Sequence, residues 1–212
     1  MQYFIYISKE RVDELFETAF DHVIDGIEVS KSKSDKSDGN AGLTIAGIFK
    51  TSLSFGRADS ESSQSKARIT AVSRLKDVVD AISKTQTVLP LADAINESDV
   101  APADWYLFQG SLTGKNWERG SVQVILTGSI AGWEIRLSCR APDFSGLYKE
   151  GEDYIPTSTN YFLFEGEISL SMIGLVRIAH ISREKHILRG SPLFLILQSE
   201  KDAAEASKDV AF

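Results

Sequence analysis

Residues 104–113 read DWYLFQGSLT and residues 160–169 read NYFLFEGEIS, so one ten-residue pattern occurs twice in the chain. Leu, Phe and Gly occupy the same positions in both copies, and the other positions match in size or polarity. Bulky residues before a glycine are typical of a β-strand in which the glycine allows a bend or the close approach of another backbone. The pattern therefore predicts two related strands, with Gly110 and Gly166 at equivalent bends.

Further strand-like segments follow each copy. They cover 120–128 and 132–140 after the first copy, and 174–182 and 186–198 after the second. The segment 132–140 alternates cleanly between apolar residues on one face and polar residues, including Arg136 and Arg140, on the other. This order predicts an internally duplicated, largely antiparallel β-meander over residues 103–198. Its six strands would close into a small barrel or face each other as a sandwich.

The first part of the chain, residues 1–102, contains both helical and strand patterns. The spacing of its apolar residues predicts a strand over 3–7, a helix over 9–22, a hairpin over 41–56 and a helix over 66–83. The polar stretch 30–40 predicts a flexible loop, and residues 199–212 predict a flexible tail. We therefore expect one compact α+β unit in which the N-terminal strand and two helices pack on the duplicated meander.

Composition limits the classes of partner. The net charge of −7 over 212 residues argues against broad attraction to nucleic acid or to an anionic membrane. The single cysteine excludes an internal disulfide, which fits a reducing compartment. The opening residues carry no signal-peptide pattern, and no apolar run reaches the roughly 20 residues of a membrane helix. The expected location is the cytoplasm, with no membrane attachment.

The sequence contains no recognised motif for catalysis or for cofactor binding. The chain has no dinucleotide fingerprint, no complete phosphate loop and no zinc-ligand spacing, so we predict no cofactor, no metal and no catalytic residue. Cys139 falls on the apolar face of its predicted strand, which favours an inert core thiol. His180 and His186 flank a charged turn, and with nearby carboxylates they support one alternative, a hydrolase that acts on phosphate esters.

A second alternative is the binding of single-stranded nucleic acid. Aromatic residues and cations are the ingredients of such a surface, and this chain has both in its β-rich part: Trp105, Tyr106, Phe108, Trp117, Trp133, Lys115, Arg119, Arg136 and Arg140. Strand alternation nevertheless separates neighbouring aromatics onto opposite faces, and the global charge is unfavourable. Core packing explains most of these aromatics.

The leading hypothesis is a non-enzymatic cytosolic binding or sensor module. Its ligand would be a small molecule, for instance a nucleotide, or a partner protein. Duplicated halves often create a pocket at their junction, and small-molecule sites favour such crevices. The predicted site residues are those around the repeat glycines and the nearby arginines: Gly110, Gly166, Arg136 and Arg140.

The opening residues resemble the start of a family of uncharacterised bacterial proteins. Residues 3–8 read YFIYIS and are followed by Val12, Asp13 and Leu15, which matches an aromatic strand, a cap and a Val-Asp-x-Leu helix start. The Ser/Lys/Gly-rich stretch within 30–66 and the aromatic-x-Gly-x-aliphatic segment 108–112 add to the likeness. The resemblance implies a domain of unknown function in a bacterial, intracellular setting, and it implies no catalytic residue.

Overall fold

The computed structural model of the protein describes residues 3–24, 63–115, 117–118, 121–145, 147–150 and 153–198. The predicted loop 30–40, hairpin 41–56 and tail 199–212 lie outside the described residues. The described residues form an α+β fold whose main sheet closes into a five-stranded barrel with additional strands. The prediction of an α+β fold with a barrel is confirmed in this coarse form.

The elements follow one another in an order that begins with a strand and a helix and ends with a long hairpin. In chain order they are β1 (Tyr3–Ile7), α1 (Lys9–Ile24), α2 (Ser63–Thr85), β2 (Leu89–Pro90), α3 (Leu91–Asn96), β3 (Trp105–Gly114), β4 (Gln123–Ile130), β5 (Trp133–Arg140), a 3₁₀ turn (Ala141–Asp143), β6 (Leu147–Glu150), β7 (Asp153–Pro156), α4 (Ser158–Glu165), β8 (Leu170–Ser182) and β9 (Ile187–Leu197).

The barrel consists of β3, β4, β5, β9 and β8, in that spatial order, with β8 pairing back to β3. Its neighbouring strands are antiparallel except β5 and β9, which run parallel. Strand β1 extends the sheet on β9, and the short β2 pairs with β3. A five-stranded Greek-key barrel with a helix, here α4, between its third and fourth strands is the architecture of the OB-fold.

Two apolar cores lie on the two sides of the barrel wall. Inward-facing side chains such as Phe108, Leu126 and Leu137 fill the barrel and are completely buried. The second core lies outside the barrel, where α1 and α2 pack on β1, the first halves of β3 and β8, and the second half of β9. We call this outer surface the covered face. Leu75 of α2, Val12 of α1 and Phe194 of β9 are buried there, so both helices pack on the sheet.

The second copy of the ten-residue pattern is a helix, so the prediction of a strand at 160–169 is wrong. Residues Asn160, Leu163 and Phe164 are buried and share one helical face, whereas Tyr161 and Phe162 are 41% exposed. Gly166 ends α4 in the left-handed conformation, with φ of +82°. The Glu167 N–H then donates to the Phe162 carbonyl oxygen at 2.9 Å, as in a glycine-capped helix end.

Gly110 has a different environment, because it lies inside β3, opposite Met172 of β8. The predicted equivalence of Gly110 and Gly166 is therefore wrong. Strands β3, β4 and β5 form one three-stranded meander, but α4 and the β8–β9 hairpin follow in place of a second one. The predicted duplication has no counterpart at this point in the fold.

Among the residues that the structure describes, no helix combines the length and apolar character needed to cross a membrane.

Candidate functional site

The outer surface of β4, β5 and the first half of β9 carries polar side chains, and we call it the open face. Alternation along β5 buries Ile135, Leu137 and Cys139 inside the barrel and turns the intervening residues outward. Arg136 and Arg140 are among these outward residues. The two faces predicted for this strand are confirmed, because its burial pattern has the period of two that the sequence indicates.

A groove of about 380 Å³ lies at one end of the open face, where this face meets helix α1. Helix α1 contributes charged side chains to it, and the strands contribute polar ones. Its lining includes Glu10, Arg11, Gln123, Ser138, Arg140 and Ser191. The groove is thus bounded by side chains that can form hydrogen bonds and ion pairs on two opposite walls.

Two arginines enter the groove from these two walls. Arg140, at the end of β5, forms an ion pair with Glu10 in the first turn of α1. Arg11, the next residue of α1, donates a hydrogen bond to the Ser191 hydroxyl group on β9. The Arg140 side chain is 49% exposed, and exposed ion pairs contribute at most about 1 kcal/mol. An incoming anion can therefore displace Glu10 from Arg140 at a small cost.

The floor of the groove is formed by buried side chains. Tyr6 and Cys139 line it, yet both side chains are almost completely buried. Burial is the main reason why the pKa of Tyr6 and the pKa of Cys139 lie above their ordinary values. The Cys139 thiol also donates to the Leu137 carbonyl oxygen, at 3.8 Å. A buried, protonated thiol is a poor nucleophile, so this cysteine is an inert part of the core.

Asp143 is a buried carboxyl group between the end of β5 and the start of α1. It follows β5 in the 3₁₀ turn, and its carboxyl group accepts a hydrogen bond from the Lys9 N–H at the start of α1. Burial raises the pKa of Asp143, although the positive charges of Lys9 and Arg140 act in the opposite direction. Its Oδ2 atom has no hydrogen-bond partner in the part of the chain that the structure describes. A carboxyl group thus links the start of α1 to the end of β5.

Two arginine side chains and a histidine stand side by side across the middle of the open face. The strand register pairs Arg136 of β5 with Arg189 of β9, and Arg189 with His180 of β8. We call these three residues the basic row. Arg136 also binds Glu134 with two hydrogen bonds, of 2.8 Å to Oε1 and 3.0 Å to Oε2. These hydrogen bonds are the main reason why the pKa of Glu134 lies below its ordinary value.

The four residues predicted from the sequence to bind a ligand do not come together. Arg136 and Arg140 share the open face, four residues apart on β5. Gly110 lies in the part of β3 that pairs with β8, and Gly166 ends α4 next to Gly114. Neither glycine lines the groove.

The two histidines named in the hydrolase alternative have different surroundings. His180 is an exposed member of the basic row. His186, in the β8–β9 turn, has a positive φ of 50°, and its ring packs edge-on against Trp133 with 5.0 Å between centroids. Within the described ranges, no group of three or more His, Cys, Asp and Glu residues is arranged to hold a metal ion. A hydrolase that uses both histidines stays a prediction.

Arg11 and Arg189 were missed by reasoning from the sequence. Arg189 occupies an outward position in the predicted strand 186–198, so alternation would have found its exposure. Alternation could not have shown that Arg189 lies beside Arg136, because the two strands pair in parallel across 52 intervening residues. Arg11 reaches the site only because α1 packs against the end of the barrel.

The chain matches no model of a known protein family, and no match was found among the curated proteins with which it was compared. The resemblance of its opening residues to an uncharacterised bacterial family stays a prediction.

Proposed function

We propose that the protein is a non-enzymatic binding module whose groove holds a small anionic molecule, for instance a nucleotide. The observation that carries this proposal is the approach of Arg11 and Arg140 to one groove from opposite walls. Guanidinium groups are well suited to phosphate and carboxylate, because their planar donors match the geometry of these anions. The volume of about 380 Å³ is within the range of ordinary ligand pockets.

Further polar groups in the groove can orient a bound ligand through hydrogen bonds. The Gln123 side-chain amide donates to the Ser138 hydroxyl group at 2.7 Å, which leaves its carbonyl oxygen as an acceptor for a ligand. Val122 at the rim is 50% exposed and offers an apolar contact. A ligand with one anionic end and a flat, partly apolar body fits this combination of groups.

The chemistry of the groove favours binding over catalysis. Nucleophilic catalysis needs an activated group beside a base, whereas Cys139 and Tyr6 are buried and protonated. Glu10 and Glu14 line the groove from one helix and are solvent-exposed. Exposed carboxylates with no activated nucleophile among the described lining residues do not form such a pair.

A thermal-shift and calorimetry panel of nucleotides and other anionic metabolites tests the proposal. We expect at least one compound to raise the unfolding temperature of the wild-type protein. Arg140→Ala and Arg11→Ala should each weaken its binding about tenfold, since each removes a charge-assisted hydrogen bond. Lys76→Ala removes an exposed cation from α2, away from the groove, and is the control.

Two outcomes would contradict the groove proposal. One is equal loss of affinity in the Lys76→Ala control, which would indicate a general charge effect. The other is the absence of any small-molecule ligand together with recovery of a stable protein complex. The second outcome would favour the rival interpretation, in which the groove receives an anionic segment of a partner protein.

A second candidate function, single-stranded nucleic-acid binding, is supported by the barrel topology. OB-folds bind oligonucleotides and oligosaccharides on the face of their second and third strands, which correspond here to β4 and β5. The argument is one of fold-level analogy. Fluorescence anisotropy with a short single-stranded oligonucleotide tests it: the affinity should fall steeply with salt. Binding that is insensitive to salt, or absent at low salt, would exclude this candidate.

A further inference from the structure

The basic row has a charge arrangement that is unfavourable in the protein alone. Arg136 and Arg189 are direct neighbours across β5 and β9, and strands in a sheet are about 5 Å apart. Like charges that lie directly opposite each other on one face of a sheet are destabilising. His180 continues the row on the other side of Arg189. The sheet therefore concentrates positive charge at a place where this charge does not stabilise the folded protein.

The counterion present in the protein neutralises only part of this charge. Glu134 is the carboxylate of the cluster, and both its oxygen atoms accept hydrogen bonds from Arg136. Lys115 also approaches Glu134, at 3.9 Å, and Arg189 contributes electrostatically to the same carboxylate. Three cations thus share one carboxylate. In the described ranges the Arg189 side chain makes no hydrogen bond and no ion pair within 4 Å, so its five N–H donors are available.

We infer that Arg136, Arg189 and His180 form a phosphate-binding site on the open face, distinct from the groove. One tetrahedral oxyanion above the row could accept hydrogen bonds from both guanidinium groups, because the two side chains leave the sheet side by side and on the same face. The imidazole of His180 can donate a further hydrogen bond from the β8 side. A bound phosphate removes the repulsion along the row and satisfies the free donors of Arg189.

The site lies close to the groove but does not share its arginines. Arg136 and Arg140 are four residues apart on β5, which corresponds to about 13 Å along a strand. Ser138 and Ser191 occupy the surface between them and line the groove. The phosphate could be free inorganic phosphate, or it could be the phosphate ester of a longer ligand that also reaches the groove.

The test measures binding of inorganic phosphate by calorimetry at constant ionic strength, with chloride as the reference anion. Arg189→Gln is the most direct variant, because Glu134, the carboxylate that Arg189 attracts, keeps both its hydrogen bonds from Arg136 when the Arg189 charge is removed. We expect Arg189→Gln to weaken phosphate binding about tenfold or more, while Lys76→Gln on α2 leaves it unchanged. Arg189→Lys retains the charge but lacks the fork of donors, and its affinity should be intermediate.

A parallel titration of Arg140→Gln separates this site from the groove. If phosphate binding survives in Arg140→Gln and is lost in Arg189→Gln, the site is the basic row. If the reverse is found, phosphate binds in the groove, and the inference is wrong although the groove proposal stands. Equal binding by both variants and the wild type, or no binding by the wild type at millimolar phosphate, would also overturn the inference.

The source of the phosphate is distinguished with a nucleoside monophosphate and its parent nucleoside. Dependence of nucleotide binding on both Arg189 and Arg140 would identify a phosphate ester that spans the two sites. If inorganic phosphate binding depends on Arg189 while nucleotide binding depends on Arg140 only, the occupant of the basic row is free phosphate. The unfolding midpoint of each variant in chloride verifies that it is folded.

Discussion

The covered face and the open face belong to the same barrel wall, yet the side chains of the first are apolar and those of the second are polar or charged. On the covered face, Leu75, Phe194 and Leu175 are fully buried between the sheet and the helices α1 and α2. On the open face, Arg136 and Arg189 stand in neighbouring strands in contact with solvent. Strand β9 contributes to both, since its first half is polar on the outside and its second half is apolar.

This difference separates the residues that stabilise the protein from those that are available for function. Burial of apolar side chains contributes about 25 cal/mol for each Å² removed from water, so the covered face is a major source of stability. Exposed charges contribute little to stability. A dense group of cations on the open face is therefore better explained by a ligand than by folding. Substitutions on the two faces should affect different measurements.

The largest effect on stability is expected from Leu75→Ala on the covered face. Leu75 is completely buried in α2, and its truncation leaves a cavity against the sheet. Such substitutions lower the free energy of unfolding by about 2–5 kcal/mol. Urea unfolding followed by circular dichroism measures the change. The adjacent Lys76→Ala, which is solvent-exposed, should stay within about 0.5 kcal/mol of the wild type. Equal effects of the two substitutions would mean that α2 does not pack on the barrel as described.

A smaller, pH-dependent effect is expected at Asp143, the buried carboxyl group between β5 and α1. Burial raises the folded-state pKa of Asp143 above its unfolded value, so the folded protein binds this proton more tightly. Stability from this group is therefore present at low pH and is lost as the pH rises through the raised folded-state pKa. Lys9, Arg140, Glu10, Tyr6 and Cys139 are the ionisable groups that surround it.

Asp143→Asn isolates this contribution, because asparagine is similar in shape and never ionises. We expect Asp143→Asn to be more stable than the wild type at neutral pH, and the advantage to shrink as the pH approaches the ordinary aspartate range. Unfolding midpoints at several pH values measure this trend. A variant that is less stable at neutral pH would mean that the hydrogen bond from Lys9 needs the full negative charge.

The smallest effect on stability, with a clear effect on binding, is expected from Glu10→Gln in the groove. Glu10 is 62% exposed, so loss of its ion pair with Arg140 should change the free energy of unfolding by no more than about 1 kcal/mol. Removal of its charge frees Arg140 for an anionic ligand, and affinity should rise roughly two- to tenfold. Calorimetry with a ligand of the groove measures the gain. Weaker anion binding by Glu10→Gln would show that Glu10 itself contacts the ligand.

Local patterns in the sequence predicted two of the four described helices and most of the described strands. Helix α1 covers the predicted range 9–22, and α2 covers 66–83. Both have apolar side chains at helical spacing, which a short window of sequence reveals. The same reasoning failed at 160–169, where five bulky residues satisfy a strand and a helix equally well. Tyr161 and Phe162 are exposed and Leu163 and Phe164 are buried, a distribution that only the contact with the barrel decides.

The candidate site was predictable only in part. Alternation along β5 indicated that Arg136 and Arg140 share one outward face, and the structure has them there. The partners of these arginines come from distant segments: Arg189 through the parallel pairing of β5 with β9, and Arg11 through the packing of α1. Such long-range contacts leave no periodic signal in the sequence. The glycines of the repeated pattern were chosen from a local likeness and lie elsewhere in the fold.

The sequence by itself determined the period of each well-patterned segment, the apolar and polar faces of β5, and the mixed α and β character of the chain. These properties depend on neighbouring residues, whose spacing sets which side chains share a face. The tertiary structure alone decided that the strands close into a barrel, that α4 replaces a strand, and that Arg136, Arg189 and His180 form one row. Each of these depends on pairing between segments that are distant along the chain, and that pairing is selected by the packing of the whole core.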